Sequence, residues 1–351
     1  MKTALYEIHK ELGAKFVDFS GWDMPVQFNS VISEHLAVRN GTGIFDASHM
    51  GEMLVSGSGA FAFINQVITN NLNRIAPGKG IYSPVLYENG TCVDDIIVYY
   101  LAENKFFVVV NASNTEKDYA WFLKQRDIYK ADVEIKNLSD KYDLLAVQGK
   151  TAAVCLQAVL PGVFTDLPVF SMREASYHEH KLYIARTGYT GEDGAEIFLP
   201  PQASPAFYRD LLKNAVPCGL GARDSLRLEK GYSLYGHEIS DQINPLESGL
   251  AWTVDLDKQF TGKDALLAMK KAGIKRRLSG FIMEDPGVAR NGNEISDGKK
   301  NIGYVTSGTF SPVLKKNIGL CFIPADYKES HIYISLRGTL KKAYLHKRKF
   351  V

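Results

Sequence analysis

Apolar and polar positions alternate along this chain with two different periods. A spacing of three to four residues, which gathers apolar side chains on one face of a helix, predicts helices over 3–12, 31–39, 60–68, 114–124, 151–160, 204–214 and 222–230 and within 258–272. Local punctuation supports several of them. Ser30 and Ser33 stand ahead of 31–39 and Gly41-Thr42-Gly43 follows it; Ser58 is placed to cap 60–68; Val154, Leu156 and Val159 give 151–160 an apolar face; Gly273 closes 258–272.

Continuous or alternating apolar runs predict strands at 52–55, 82–87, 92–101, 105–110 and 141–148. Asn89-Gly90 joins 82–87 to 92–101 as a hairpin, and 181–186 and 195–199 make a second hairpin around a glycine-rich loop. Residues 18–25 read as a turn-rich loop that packs aromatic side chains. Beyond Gly273 the chain turns to short strands, at 278–283, 302–306, 318–322, 331–336 and 342–346, a pattern that predicts a small barrel or sandwich. The fold class is therefore α+β over about three quarters of the chain, followed by a compact β domain. Residues 51–141 read as an insertion between two parts of one domain.

Composition narrows the field. A chain of 351 residues holds two or three domains at about 150 residues each, and can bury a core without disulfides or metal staples. Lys and Arg number 41 against 39 Asp and Glu, a formal charge of +2, which argues against nucleic acid as a partner and against a disordered polyelectrolyte. The four cysteines, Cys92, Cys155, Cys218 and Cys321, form no CxxC pair, so a reducing cytoplasm fits better than a disulfide framework or a zinc ribbon. Glu7, His9, Lys10 and Glu11 interrupt any leader-like apolar core, and no run approaches the ~18 apolar residues of a membrane span. The expectation is a soluble cytoplasmic protein with no membrane partner.

Three stretches carry candidate chemistry. In Val93-Asp94-Asp95-Ile96-Ile97-Val98-Tyr99 the two carboxylates point to opposite faces of a regular strand. The flanking residues are apolar, so at least one carboxylate sits at a dry edge, where it is expensive without donors. The alternative is a turn-capping aspartate at the strand entry. In the segment from Arg186 to Glu196, Gly188, Gly191 and Gly194 allow close approach of backbone to a ligand. Its three carboxylates argue against phosphate; one carboxylate beside an aromatic suits a flat heterocycle with adjacent N–H donors. Glu192 and Asp193 read as solvated acids of a hairpin turn, whereas Glu196 opens a strand and is free to point inward.

The third stretch runs from Gly219 to Gly231. Its two leading glycines lack the third glycine and the preceding strand of a dinucleotide fingerprint. Arg223 and Arg227 share one helix face; they serve either an ion-paired helix, through Asp224 and its neighbours, or a ligand acceptor. Weaker candidates are His178 with His180, which lack a nearby third metal ligand, and Asp46-Ala47-Ser48-His49, which lacks a nucleophile elbow. Nothing near Cys92 would hold a thiolate, so it reads as structural.

Seven segments in order carry a resemblance to one family. They are Phe19-Ser20-Gly21-Trp22-Asp23-Met24-Pro25, Phe45-Asp46-Ala47-Ser48-His49-Met50-Gly51, Val93-Asp94-Asp95-Ile96-Ile97-Val98-Tyr99, Gly188-Tyr189-Thr190-Gly191-Glu192-Asp193-Gly194, Gly221-Ala222-Arg223-Asp224-Ser225-Leu226-Arg227-Leu228-Glu229, Leu234-Tyr235-Gly236 and Val305-Thr306-Ser307-Gly308-Thr309-Phe310-Ser311-Pro312. Together, from about residue 5 to 318, the chain resembles the T-proteins, the aminomethyltransferases of the glycine cleavage system. The resemblance implies a three-domain cloverleaf around a tetrahydrofolate site: 1–50 with 140–272 as a discontinuous α+β folate-binding domain, 51–139 as an inserted α+β domain, and 273–351 as a C-terminal β-barrel. It implies an aminomethyl group delivered on the lipoyl arm of the H-protein, tetrahydrofolate as co-substrate, no metal, and ammonia, methylenetetrahydrofolate and the dihydrolipoyl arm as products. The P-protein and L-protein of that system follow as functional partners.

Residue by residue, the resemblance makes Asp94 the catalytic carboxylate beside the reacting folate nitrogens, Glu196 the acid that pairs with the pterin, and Arg223 the arginine that contacts folate. Tyr82, Asn111 and Tyr189 match pocket-lining positions. The end of the chain, Phe350-Val351, departs from members that continue with ligand-reaching residues. Two basic runs, Lys270, Lys271, Lys275, Arg276 and Arg277, and Lys341, Lys342, Lys347, Arg348 and Lys349, are candidate carrier surfaces or solvated faces. Competing readings are a related folate-dependent one-carbon transferase or demethylase, and a non-catalytic folate-binding protein of the iron–sulfur assembly type. The latter carries a cysteine in Lys-Gly-Cys-Tyr, where this chain has Lys230-Gly231-Tyr232-Ser233.

Overall fold

The computed structural model describes residues 1–351. The chain divides into two compact units, residues 1–83 with 96–224 and residues 84–95 with 225–351.

The first unit is built on a six-stranded sheet in the order Met172–Tyr177, His180–Ala185, Gly194–Leu199, Asp143–Gln148, Gly43–Asp46, Val216–Cys218. Its pairs are antiparallel except the last, where Val216–Cys218 runs parallel to Gly43–Asp46. Both faces are covered at the centre of this sheet, where Gly43–Asp46, Asp143–Gln148 and Gly194–Leu199 are buried along their whole length. Leu145 and Ile197 pair in register and face helices Ala152–Val159, Ser204–Leu211 and Tyr6–Glu11 through Leu156, Phe207, Leu211 and Ile8. The next pair, Leu144 and Phe198, points the other way and packs on Phe107, Val109 and Tyr99 of a second sheet. That second sheet has the order Gly80–Leu86, Cys92–Ala102, Lys105–Val110, Gly51–Ser56, Glu134–Asn137. Helices Ala60–Val67 and Thr115–Tyr129 pack on each other through Phe63 and Phe122, whose ring centroids lie 6.1 Å apart.

The second unit holds a closed six-stranded barrel, Arg276–Met283, Lys316–Pro324, Asn301–Ser311, Glu294–Ser296, His331–Leu336, Thr339–His346. Alternation again sorts the side chains. Cys321 and Ile323 join Phe281, Ile295, Val305 and Ile334 in one core, while Leu320 and Phe322 join Leu228, Ile243 and Leu278 in another. The tip 84–95 belongs to this unit: the Cys92 N–H donates to the Ile243 carbonyl at 3.0 Å.

The α+β class with a terminal barrel is as expected, and the choice between barrel and sandwich falls to the barrel. Three local expectations fail. Residues 18–25 are not loop: Lys15–Phe19 and Trp22–Gln27 form an antiparallel hairpin. Ser20 and Gly21, with φ of 54° and 83°, supply the two left-handed residues its tight turn needs. Ser58 does not cap the following helix; its hydroxyl donates to Asp132, and Gly59 holds the cap position. Val154 is 71% exposed, and the buried face of its helix is Ala152, Cys155 and Leu156. The strand Met172–Tyr177, which the sequence patterning leaves unassigned, is the edge of the six-stranded sheet. No helix is long and apolar enough to cross a membrane.

Candidate active site

The strand Gly194–Leu199 carries Glu196 opposite Ala146 and Ala185. Glu196 is 8% exposed, and its Oε2 accepts a hydrogen bond from Thr187 Oγ1 at 2.6 Å. Thr187 spends its only hydroxyl proton there, so at 2.7 Å the Tyr99 hydroxyl donates to Thr187. A relay Tyr99 to Thr187 to Glu196 thus orients the carboxylate. Burial and the nearby Glu196 push the Tyr99 phenol well above its usual range, which keeps it a donor.

The glycine-rich loop before this strand does not use its glycines as expected. A Cβ at Gly188 would lie 1.9 Å from Gln148 Oε1, so the loop backbone closes on its own sheet. Gln148 completes the clasp, donating to the Thr187 carbonyl at 3.0 Å and accepting from Thr190 at 2.9 Å. Nor are Glu192 and Asp193 simply solvated. Arg39 Nη1 meets Glu192 at 2.8 Å, and Arg186 grips Asp193 through both Nε and Nη2. These acids fasten the loop and leave Tyr189 at its crest.

Arg223 lies on the helix Leu220–Glu229. Glu34 sets where that helix begins: its carboxylate accepts the N–H groups of Phe28, Asn29 and Gly219 at 2.7, 3.0 and 2.8 Å. The Arg223 guanidinium stands 4.8 Å from the centre of the Tyr189 ring. It is half-buried, its Nη1 is shut off from solvent without a hydrogen-bond partner, and Glu196 and Tyr189 supply the charges it feels. Glu196, Arg223 and Tyr189 therefore come together in one unit. Tyr82 and Asn111 belong to the same unit, Tyr82 half-buried on the strand Gly80–Leu86 and Asn111 just past Lys105–Val110.

Asp94 is in the other unit's segment, fully buried as the third residue of the strand Cys92–Ala102, while Asp95 on the opposite face is half-buried. In the turn before it, Asn89 accepts from the Thr91 N–H at 3.0 Å.

Of the weaker candidates, Asp46 is committed to Thr3, His9 and the Ser48 N–H at 2.6, 3.0 and 2.9 Å, a brace for the first helix. Ser48 accepts from the Leu144 N–H at 3.1 Å. His178 turns the corner between two strands with φ of 51°. Arg227 pairs with Glu238. Sequence reasoning dismissed His49 with the relay it seemed to belong to. The structure buries that ring to 5% exposure within the electrostatic reach of Arg223, a residue of a distant segment, so no sequence signal joined the two.

Residues 5–258 match the GCVT N-terminal domain and residues 276–351 the glycine cleavage T-protein C-terminal barrel domain. The chain is 44% identical over 358 residues to an aminomethyltransferase of Caldanaerobacter subterraneus subsp. tengcongensis, covering 99% of this chain and 95% of the relative. It is 45% identical over 331 residues to an aminomethyltransferase of Halothermothrix orenii, covering 93% and 92%. The crystal structure of the glycine cleavage system aminomethyltransferase T from Bartonella henselae superimposes with a TM-score of 0.94 at 34% identity, covering 100% of this chain and 98% of that one. An α+β body with a terminal barrel and these full-length matches define a one-carbon transferase of the glycine cleavage type. The chain belongs to the glycine cleavage T-protein family, the aminomethyltransferases of that system.

Proposed function

We propose that this protein transfers the one-carbon unit of an aminomethyl-lipoyl carrier to tetrahydrofolate in the cytoplasm, releasing ammonia during glycine catabolism. The observation that carries the folate part is the Glu196, Arg223 and Tyr189 cluster. Its carboxylate has one oxygen anchored by Thr187, and its guanidinium has an Nη1 without any protein acceptor. A carboxylate beside a stacked cation fits a flat heterocycle that presents adjacent N–H donors along one edge and acceptors along another.

In this reading Glu196 pairs with the pterin edge, Arg223 meets a ligand acceptor, and Tyr189, Tyr82 and Asn111 line the pocket. When bound, tetrahydrofolate supplies the nucleophilic nitrogen, so the protein needs no serine or cysteine nucleophile. Asp94 is the proposed catalytic carboxylate. A fixed anion in a low-dielectric site stabilises positive charge that develops on the carbon during transfer, and full burial keeps Asp94 from being screened by water. Its second role is orientation of the attacking nitrogen.

The proposed carrier is a lipoylated, acidic H-protein, with the P-protein and L-protein acting in the same sequence. Its docking patch is smaller than the basic runs suggest. Arg276 is spent on Glu247, Tyr304 and the Gln242 carbonyl, Arg277 on the Tyr327 carbonyl, and Arg348 on the Ser248 and Gly249 carbonyls. Lys270, Lys271 and Lys275 are exposed and remain candidates. The division into 1–50 with 140–272, 51–139 and 273–351 is also proposed, supported by a separate sheet in each.

The test is ammonia release from an aminomethyl-loaded lipoyl carrier with and without tetrahydrofolate. Release that rises with folate is expected. Folate-independent release, or none, would overturn the reading.

A further inference from the structure

Among the groups left over, His49 stands out. It sits in the tight turn between Gly43–Asp46 and Gly51–Ser56, closed by the Met50 N–H donating to the Ala47 carbonyl at 3.0 Å. This turn hands the chain from the six-stranded sheet to the second sheet of the same unit. The ring is 5% exposed, meets Phe19 edge-on at 5.3 Å, and its Nδ1 has no hydrogen-bond partner.

Two other facts bear on that Nδ1. Asp46, the carboxylate close to it in sequence, is saturated by Thr3, His9 and Ser48 and forms no hydrogen bond to His49. The cation that His49 feels is Arg223, whose Nη1 is likewise buried and unpartnered. Burial and that cation push the imidazole down to about 4, so the ring is neutral throughout the working range. A buried, unsatisfied polar atom costs about 1–3 kcal/mol. His49 Nδ1 and Arg223 Nη1 are two such atoms on side chains that interact electrostatically, a pattern that a bound polar ligand relieves.

We propose that His49 is a folate-binding residue of this site, giving a hydrogen bond from its Nδ1 position to a polar atom on the edge of the heterocycle that Arg223 and Glu196 hold. A neutral imidazole suits this position, because a charged one would face the guanidinium. The proposal rests on the folate reading above and adds a residue to it.

The experiment measures binding of tetrahydrofolate to the full chain by calorimetry, alongside ligand-free thermal melting. Four proteins are compared: the natural chain, His49→Leu, His49→Asn and Glu196→Ala. Asn is chosen because its amide places a polar atom near the Nδ1 position. His49→Leu is expected to weaken folate about five- to tenfold, the worth of one neutral hydrogen bond, without lowering the ligand-free melting temperature, since it removes an orphaned polar group. His49→Asn is expected to recover most of the affinity. Unchanged affinity in His49→Leu overturns the proposal, as does a drop in ligand-free melting temperature that tracks the affinity loss in both variants. If the natural chain binds no folate, the underlying reading falls instead; if Glu196→Ala alone loses affinity, the reading stands and His49 has no part in it.

Discussion

Arg223 and Arg227 stand one helical turn apart on Leu220–Glu229, and the protein treats them in opposite ways. Arg227 is 1% exposed and surrounded: it donates to Glu238 at 3.1 Å, to the Tyr232 carbonyl at 2.9 Å and to Ser307 at 2.8 Å. Arg223 has only the face of Tyr189 and the field of Glu196, and its Nη1 is unpaired. A buried charge with protein partners holds a fold together. A buried charge without them is tolerated where a ligand completes it. The same contrast separates Glu229, which accepts from Ser311, from Glu52, whose two oxygens are buried without a hydrogen bond.

The sharpest way to break this comparison is to remove Arg227. Arg227→Met leaves the Glu238 carboxylate buried and uncompensated, and should cost about 3–5 kcal/mol of stability in a denaturant titration. A loss under about 1 kcal/mol would mean that its partners do not matter. Asp94→Asn should lower turnover by roughly ten- to a thousandfold, a loss of about 1.4–4 kcal/mol in the barrier, with folate affinity changed far less. Near-normal turnover would remove Asp94 from the chemistry.

Arg223→Met should do the reverse of its neighbour: stability is kept, while folate affinity falls about ten- to a hundredfold, as expected for a hydrogen bond to a charged group. Glu196→Ala belongs with it and should weaken folate binding more than turnover. An unstable Arg223→Met protein would erase the distinction between the two arginines.

Glu52 offers a smaller effect that depends on pH. Burial, then the Asp143 carboxylate, raise Glu52 well above 4.5, and burial raises Asp143 from 3.8 to about 6 with Asp46 adding to it. Tyr142 is the other titratable group near Glu52, with Glu174 beyond it. Both acids bind their protons more tightly folded than unfolded. Their favourable contribution is complete below the unfolded values near 4 and is lost as pH rises through the folded ones. Glu52→Gln, a neutral isostere of the protonated acid, should raise the melting temperature at pH 8 and change it little at pH 4.5. Equal shifts at both pH values would falsify this assignment. Smallest of all, replacing Lys270, Lys271 and Lys275 with glutamine should slow carrier association several-fold at low salt and have little effect at high salt.

Much of this was legible in one dimension. The helix at Val31–Asn40 has the Ser30 cap that its sequence announces, with the Ser33 N–H donating to it. The strands Lys105–Val110 and His331–Leu336 fall where apolar runs put them. Other elements were hidden. Met172–Tyr177 alternates buried and exposed positions too irregularly to show as a strand without its partner His180–Ala185. The Lys15–Phe19 hairpin is mostly exposed, so hydrophobic patterning carries almost no trace of it.

The amino-acid order alone determined the class of architecture, the family, and which residue types were candidates, because period, punctuation and ordered motifs are properties of a line. It could not determine which charges end up satisfied. Arg223 and Arg227 look alike on a helical wheel, and Glu192 and Asp193 look alike in a turn. Only packing gave Arg39 to Glu192, Arg186 to Asp193 and Glu238 to Arg227, and left Arg223 over the Tyr189 ring with its Nη1 unpaired. The reason is that a partner's value depends on distance and on the exclusion of water, and both are set by residues far away in the chain.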